Sequence, residues 1–199
     1  MTQAKPKLKV SFEEYLTYLD RTDTRYELVN GDLAAMNPPT WRHILIARFL
    51  ERALEAEIQR IGRSWLAVQG AGQRVEQDTS RLPALLVVSA EAIQPTLNQS
   101  AVLEEAAILA IEIVSERSTA DDYLHKLAEY EMLGIPEYWI VDYLALGASR
   151  YIGRPKQPTI SIYQLVDGEY QVSQFKGADR LVSPTFPELK LTAEQVLKA

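Results

Sequence analysis

One carboxylate interrupts the most apolar stretch of the chain. Residues 106–115 read Ala-Ala-Ile-Leu-Ala-Ile-Glu-Ile-Val-Ser, and Glu112 is the charged residue among them. Such a run predicts a strand buried on both faces of a sheet. A buried carboxylate is costly unless it is paired, protonated or bound to a metal. Glu112 is therefore either a candidate catalytic or metal-binding residue, or half of a structural ion pair with Lys126, Arg81 or His43.

The segment after this strand supplies a possible cationic partner. Lys126 lies on a helix that we predict over residues 119–133, with Ser118 as its N-cap. A buried acid on a strand and a lysine on the following helix could form a metal-dependent phosphodiesterase site. Asp122, four residues before Lys126, equally fits an ordinary salt bridge on an exposed helix face. The catalytic interpretation requires that face to turn toward Glu112.

Two further residues could carry chemistry. Glu27 lies in a predicted hairpin over residues 26–36, where Asn30-Gly31 is a favoured pair for a type I′ turn. Exposed glutamates on edge strands are as common as functional ones, so both alternatives stay open for Glu27. His43 lies near the start of a long amphipathic helix predicted from about residue 40 to 61. A lone histidine is more often a packing or hydrogen-bonding residue than a catalyst.

Composition limits the classes of function. The 199 residues carry a net charge of −6 and include no cysteine. Residues 104–142 contain ten Asp or Glu residues but only two Lys or Arg residues. This acidic balance argues against tight non-specific DNA binding by a monomer. An acidic site that receives a divalent cation together with phosphate is compatible with this charge. The chain has no Gly-x-Ser-x-Gly, P-loop, dinucleotide-binding or zinc-type motif, so those enzyme classes are excluded.

Localisation and domain organisation follow from the same survey. We expect a cytoplasmic protein without membrane attachment, because no apolar run approaches the roughly 20 residues needed to span a bilayer. The N-terminus lacks the apolar core of a signal peptide, and the absence of cysteine suits a reducing compartment. The length fits one domain, which we place at residues 11–199 after a flexible N-terminal arm at residues 1–10.

Helical and strand patterns occur throughout the chain and predict an α/β or α+β fold. A capping box, Ser11-Phe-Glu-Glu14, begins a short helix, and Thr192-Ala-Glu-Gln195 caps another. A short helix is expected at residues 90–97 and an exposed loop at 147–158. The predicted strands after the first hairpin cover residues 65–68, 72–75, 85–89, 107–114, 138–142, 160–166 and 169–175.

Six segments follow one another in a recognisable order: Ser-Phe-Glu-Glu-Tyr-Leu (11–16), Tyr-Glu-Leu-Val-Asn-Gly-Asp-Leu (26–33), Ser-Arg-Leu-Pro-Ala-Leu-Leu-Val-Val (80–88), Ile-Glu-Ile-Val-Ser (111–115), Asp-Tyr-Leu-His-Lys-Leu-Ala-Glu-Tyr (122–130) and Gly-Ile-Pro-Glu-Tyr-Trp-Ile-Val-Asp (134–142). In these motifs and their order the chain resembles the Uma-type restriction endonuclease family, which is abundant in cyanobacteria and belongs to the PD-(D/E)XK nuclease superfamily. The resemblance covers about residues 11–197. It implies a restriction-endonuclease-like mixed central β-sheet flanked by helices, with an N-terminal helix and hairpin, acting on DNA and often as a homodimer.

The resemblance also assigns roles to residues. In the superfamily, an aspartate and a glutamate on adjacent strands hold Mg²⁺, and a lysine orients or activates the attacking water. Glu112 matches the glutamate, and Lys126 matches a lysine moved to the following helix. Glu27 matches an acidic residue of the hairpin motif, and His43 a histidine that often follows it. The backbone carbonyl of Ile113 is a further expected metal ligand.

One position departs from the family pattern. The family has Arg-x-Pro-Asp or Arg-Pro-Asp before the Leu-Val-Val strand, whereas this chain has Arg-Leu-Pro-Ala, ending at Ala84. Alanine offers no oxygen to a metal, so we expect weak or absent binding of Mg²⁺ or Mn²⁺ and slow or absent cleavage. The alternative is a non-catalytic nuclease-fold module for binding or dimerisation. An RNA or small phosphoester substrate is a third option.

Overall fold

The structure is a computed structural model, and it describes residues 9–22 and 24–199. Residues 1–8 of the expected N-terminal arm lie outside the described part. Lys9 and Val10 lie against the first hairpin, because the Val10 amide donates to the carbonyl of Gly31 at 2.9 Å and Lys9 Nζ donates to the carbonyl of Asn30 at 2.7 Å. The proposed domain limits, 11–199, stay a prediction.

The described residues form a mixed α+β fold. Its helices are α1 (Phe12–Leu16), α2 (Trp41–Ile61), α3 (Ala90–Ile93), α4 (Lys126–Leu133), α5 (Ser149–Ile152) and α6 (Ala193–Leu197). Its strands are β1 (Tyr26–Val29), β2 (Asp32–Ala35), β3 (Trp65–Val68), β4 (Gly72–Glu76), β5 (Thr79–Arg81), β6 (Leu85–Ser89), β7 (Val102–Leu103), β8 (Leu109–Ile113), β9 (Glu137–Asp142), β10 (Thr159–Val166) and β11 (Glu169–Phe175).

The strands divide between two mixed sheets. One sheet has the order β2-β1-β5-β4-β7, and the other has the order β11-β10-β9-β8-β6-β3. The parallel pairs are β4 with β7 and β8 with β9. The predicted fold class is confirmed, with its mixed strands shared between two sheets. The chain crosses between the sheets several times, because β3 and β6 belong to the second sheet while β4, β5 and β7 belong to the first.

The second sheet is buried on both faces around its centre. On one side, the apolar stripe of α2, which includes Ile46, Leu50 and Leu54, packs against residues of β6, β8 and β9. This helix begins at the N-cap Thr40 and ends at Gly62, whose φ of 67° is the left-handed conformation that glycine adopts without strain. On the other side, a second cluster joins the sheet to α4. The two layers fix the end of β8 in the protein interior.

A few local features differ from the sequence prediction. β5 and β7 were not predicted, because strands of three and two residues are too short to show alternation. The segment expected as an exposed loop at 147–158 contains α5. The helix predicted over 119–133 includes a π-helical turn, Asp121–His125, directly before α4.

Within the described ranges, no helix is long and apolar enough to cross a membrane.

Candidate active site

The ammonium group of Lys126 lies at the centre of a buried acidic cluster. Its Nζ atom is 2.9 Å from Glu112 Oε1, 3.2 Å from Asp122 Oδ1 and 3.5 Å from Glu27 Oε1. These side chains come from β8, the π-helical turn and β1. All four residues are at most 5% exposed. The helix face of Lys126 therefore turns inward, as the catalytic interpretation required, and it does not lie on the surface.

Glu27 reaches the cluster because β1 lies inside its sheet. Strand β1 pairs with β2 on one side and β5 on the other, with Leu28 opposite Ser80. The next pair in this antiparallel register would place Glu27 opposite Arg81. Consistent with that, Arg81 Nη1 lies 3.4 Å from Glu27 Oε2, and the Leu82 amide donates to Glu27 Oε1 at 3.0 Å. Glu27 is thus a fixed, buried carboxylate rather than an exposed one.

Arg81 links the cluster to α4. Its Nε and Nη2 atoms donate to the two carboxylate oxygens of Glu129 at 2.6 and 2.5 Å, which is a bidentate ion pair. Arg81 therefore bridges Glu27 on β1 and Glu129 on α4. This pair holds the helix of Lys126 close to the first sheet.

Glu112 accepts hydrogen bonds from two side chains of the same helix. Lys126 Nζ donates to Oε1 at 2.9 Å, and the Tyr130 hydroxyl donates to the same oxygen at 3.2 Å. Lys126 and Tyr130 are four residues apart, so they lie on one face of α4. The burial of Glu112 was predicted from its apolar strand, and the structure brings it together with Lys126.

Asp122 is the cluster member that the sequence interpretation missed. Its spacing to Lys126 suggested an ordinary surface salt bridge, but Asp122 is fully buried. Neither of its carboxylate oxygens accepts a well-aligned hydrogen bond from any described residue. Lys126 and the Ser118 hydroxyl are its nearest donors. The only available signal was the Asp122–Lys126–Tyr130 spacing of four, which places all three on the face that meets Glu112.

The other predicted site residues lie around the cluster. His43 is half-buried in the first turn of α2 and is close enough to Lys126 to feel its charge, although its ring makes no hydrogen bond with a described residue. Ala84 directly precedes β6, whose last pair with β8 joins Leu85 and Ile111. Continuing that register would place Ala84 opposite Glu112. The Ala84 methyl packs against the core on the α2 side.

The backbone of Ile113 extends beyond the pairing with β6. The Val114 amide donates to Val141 of β9 at 3.0 Å, so the carbonyl of Ile113 points to the opposite side of the strand by alternation. That side is where β6 pairing has ended and where Ala84 lies. The catalytic and metal-binding roles of all these residues stay predictions.

Burial and unequal charge control protonation in the cluster. The ion-pair network holds four carboxylates against two cations, namely Glu27, Glu112, Asp122 and Glu129 against Lys126 and Arg81. Burial raises the pKa of Glu112 to about 8, against the opposing effect of Lys126. Burial also raises the pKa of Asp122. Burial alone would lower the pKa of Lys126, but the surrounding carboxylates raise it above its ordinary value. The ammonium therefore stays charged, and one acid retains a proton.

The pKa of His43 moves in the other direction. Burial lowers it, and the positive charge of Lys126 lowers it further. His43 is therefore neutral at neutral pH, and it could accept a proton or donate through its ring N–H.

The donor set does not fit a divalent metal in its present arrangement. Among the described residues, no three acidic or histidine side chains form a group that could hold a metal ion. Glu27, Glu112 and Asp122 converge on the Lys126 ammonium instead. Ala84 contributes no oxygen where the resemblance expects an aspartate.

The fold is shared with a solved protein. A crystal structure titled as a putative nuclease belonging to DUF820, from Anabaena variabilis, matches with a TM-score of 0.72 and 19% sequence identity. The match covers 95% of this chain and 98% of that chain, so the two proteins have the same overall fold. No curated protein matches the chain at a significant level.

The family follows from the sequence model. The chain belongs to the Uma2 family, described as "Putative restriction endonuclease", whose model matches residues 12–194. The family resemblance inferred from the motifs is thereby confirmed.

Proposed function

We propose that this protein is a PD-(D/E)XK-type DNA endonuclease whose Mg²⁺- or Mn²⁺-dependent cleavage of phosphodiester bonds is weak or lost. The observation that carries the proposal is the contact of Lys126 with Glu27 and Glu112, which brings together residues from both sheets at the positions that the family resemblance marks. Membership of the Uma2 family supports a nuclease. Ala84 supports the reduced activity, because it lacks a metal-binding oxygen.

The chain's own residues could still act on a phosphodiester. The Lys126 ammonium could offset negative charge that develops on the phosphate in the transition state. His43 is half-buried, and burial and the charge of Lys126 lower its pKa, so its neutral ring is the proposed proton-transfer group for a phosphodiester bound within its hydrogen-bond reach. Because the present donor set does not fit a divalent cation, no step of the reaction is assigned to a metal.

A non-catalytic nuclease-fold module is the second candidate. One observation favours it, namely that the carboxylates are buried and already paired with Lys126. Such a cluster would stabilise the junction between the two sheets without any reaction. DNA binding or dimerisation would then be the retained function.

Restoring the missing carboxylate distinguishes the two candidates. Nicking of supercoiled plasmid is measured with Mg²⁺ and with Mn²⁺ for the wild type and for Ala84→Asp. We expect little or no nicking by the wild type and metal-dependent nicking by Ala84→Asp, since continuing the register of β6 with β8 would place residue 84 opposite Glu112. Ala84→Asn is the matched control, similar in size but uncharged, and Ala84→Asp combined with Glu112→Gln should be inactive.

Two outcomes contradict parts of the proposal. Strong cleavage by the wild type that Glu112→Ala abolishes would refute reduced activity. Absence of nicking by a folded Ala84→Asp variant would favour the non-catalytic module. We also propose that the protein is a homodimer, as the resemblance implies, and that it is cytoplasmic, as its sequence composition suggests. Sedimentation velocity of the purified chain tests the dimer.

A further inference from the structure

We infer that Lys126 is the resident cation of this acidic cluster and holds the position that a divalent metal ion would need, so that the wild-type cluster excludes Mg²⁺. This inference deepens the proposed function, because it identifies the side chain that controls metal entry at the same site.

The geometry around Nζ is that of a bound cation. Oxygens from Glu112, Asp122 and Glu27 approach one point at 2.9, 3.2 and 3.5 Å. They belong to three separate elements, so the fold as a whole directs them there. Mg²⁺ binds oxygen at about 2.0–2.1 Å and Ca²⁺ at about 2.3–2.6 Å, so a metal at this point would need the oxygens to move inward by roughly 1 Å.

Asp122 gives an independent indication that the cluster is built around a cation. It is fully buried, and neither oxygen accepts a well-aligned hydrogen bond from the described residues. Burial of a carboxylate without hydrogen bonds is costly unless a positive charge lies close by. The Lys126 ammonium, 3.2 Å from Oδ1, is the cation that offsets this cost.

The tether explains why the ammonium outcompetes a free ion. Lys126 is 4% exposed, and its backbone lies at the junction of the π-helical turn and α4, only four residues from Asp122. A group held in place by the chain acts at a high effective concentration, which a free ion in solution must overcome. Removing the ammonium should therefore leave three converging carboxyl groups that a hard divalent cation binds by displacing the proton they retain.

Substitution of the lysine tests this directly. Mn²⁺ binding is measured by electron paramagnetic resonance titration and calorimetry for the wild type, Lys126→Met and the control Lys198→Met, an exposed lysine that also pairs with an acid four residues earlier. We expect Lys126→Met to bind one Mn²⁺ at least about tenfold more tightly than the wild type or Lys198→Met does. Combining Lys126→Met with Glu112→Gln should abolish this increase in affinity.

Folding provides a second readout, because Lys126→Met leaves buried carboxylates unpaired. Circular dichroism melts are recorded with and without Mn²⁺ or Ca²⁺. We expect either ion to raise the melting temperature of Lys126→Met, or to fold it if it is unfolded alone, and to leave the wild type unchanged. Equal Mn²⁺ affinity of wild type and Lys126→Met, or no rescue of Lys126→Met by either ion, would overturn the inference.

The outcome is separable from that of the proposed function. The inference concerns metal binding with residue 84 left as alanine, where Lys126 keeps the ion out. The proposed function is tested by DNA nicking after Ala84→Asp, where an added carboxylate strengthens metal binding enough to displace the ammonium. Nicking by Ala84→Asp without any gain of binding in Lys126→Met would refute the inference alone. Tighter Mn²⁺ binding by Lys126→Met, together with no nicking by Ala84→Asp, would refute the proposed function alone.

Discussion

The protonation of Glu112 predicts an unusual dependence of stability on pH. Burial raises the pKa of this carboxyl to about 8 in the folded protein, from an ordinary value of 4.5. A carboxyl with a raised pKa binds its proton more tightly in the folded state than in the unfolded state. Its stabilising effect is therefore complete below the unfolded pKa and is lost as pH rises toward the folded pKa. Most carboxylates that gain a partner on folding behave in the opposite way.

The magnitude follows from proton linkage. When the folded state holds one proton that the unfolded state has lost, each rise of one pH unit lowers the free energy of unfolding by about 1.4 kcal/mol. Between pH 5.5 and 7.5, the wild type should lose about 2–3 kcal/mol relative to a variant without this proton. Glu112→Gln is that variant, because its amide is neutral at every pH and its oxygen can still accept from Lys126.

The measurement is urea unfolding of both proteins at several pH values at constant ionic strength. We expect the stability of the wild type to fall relative to Glu112→Gln as pH rises from about 5.5 to 7.5. Titrating groups that do not interact with Glu112 cancel in the difference. Parallel pH profiles for the two proteins would refute the claim that the folded cluster retains a proton.

Two further predictions concern the contacts of the cluster. Tyr130→Phe removes the hydroxyl that donates to Glu112 at 3.2 Å, and it should lower the free energy of unfolding in urea by about 1–2 kcal/mol. A loss no larger than that of Tyr18→Phe, whose ring is 43% exposed, would contradict a buried hydrogen bond. Arg81→Met removes a buried guanidinium that pairs with the buried Glu27 and bidentately with the partly buried Glu129, and it should cost about 3–5 kcal/mol in the same assay. Arg60→Met, which breaks an exposed pair, is the control and should change stability little, so equal effects of the two arginine substitutions would contradict the structure.

Much of the fold was predictable because its signals are local. The long helix α2 has apolar residues at regular helical spacing, with Thr40 and Gly62 at its two ends. The turn at Asn30-Gly31 has the positive φ values, 49° and 78°, that its sequence predicts. The division into two sheets was not predictable, because it depends on the pairing of β1 with the short, distant strand β5.

The candidate site was predictable in part for the same reason. Glu112 stands out because its neighbours along the strand are apolar, and that pattern is readable in sequence. The burial of Asp122 is not, since a helix with polar residues at that position resembles an exposed one. Its position depends on the π-helical turn and on the contact of α4 with both sheets, which only the folded chain reveals.

The central claim is that a lysine ammonium, rather than a metal ion, joins the acids of the two sheets. A crystal structure of the wild-type protein grown with Mn²⁺, with anomalous data collected at the manganese edge, tests it most directly. We expect Lys126 Nζ within hydrogen-bond distance of Glu112 and no anomalous peak among Glu27, Glu112 and Asp122. A manganese peak bound by two of these carboxylates, with Lys126 displaced, would contradict the account.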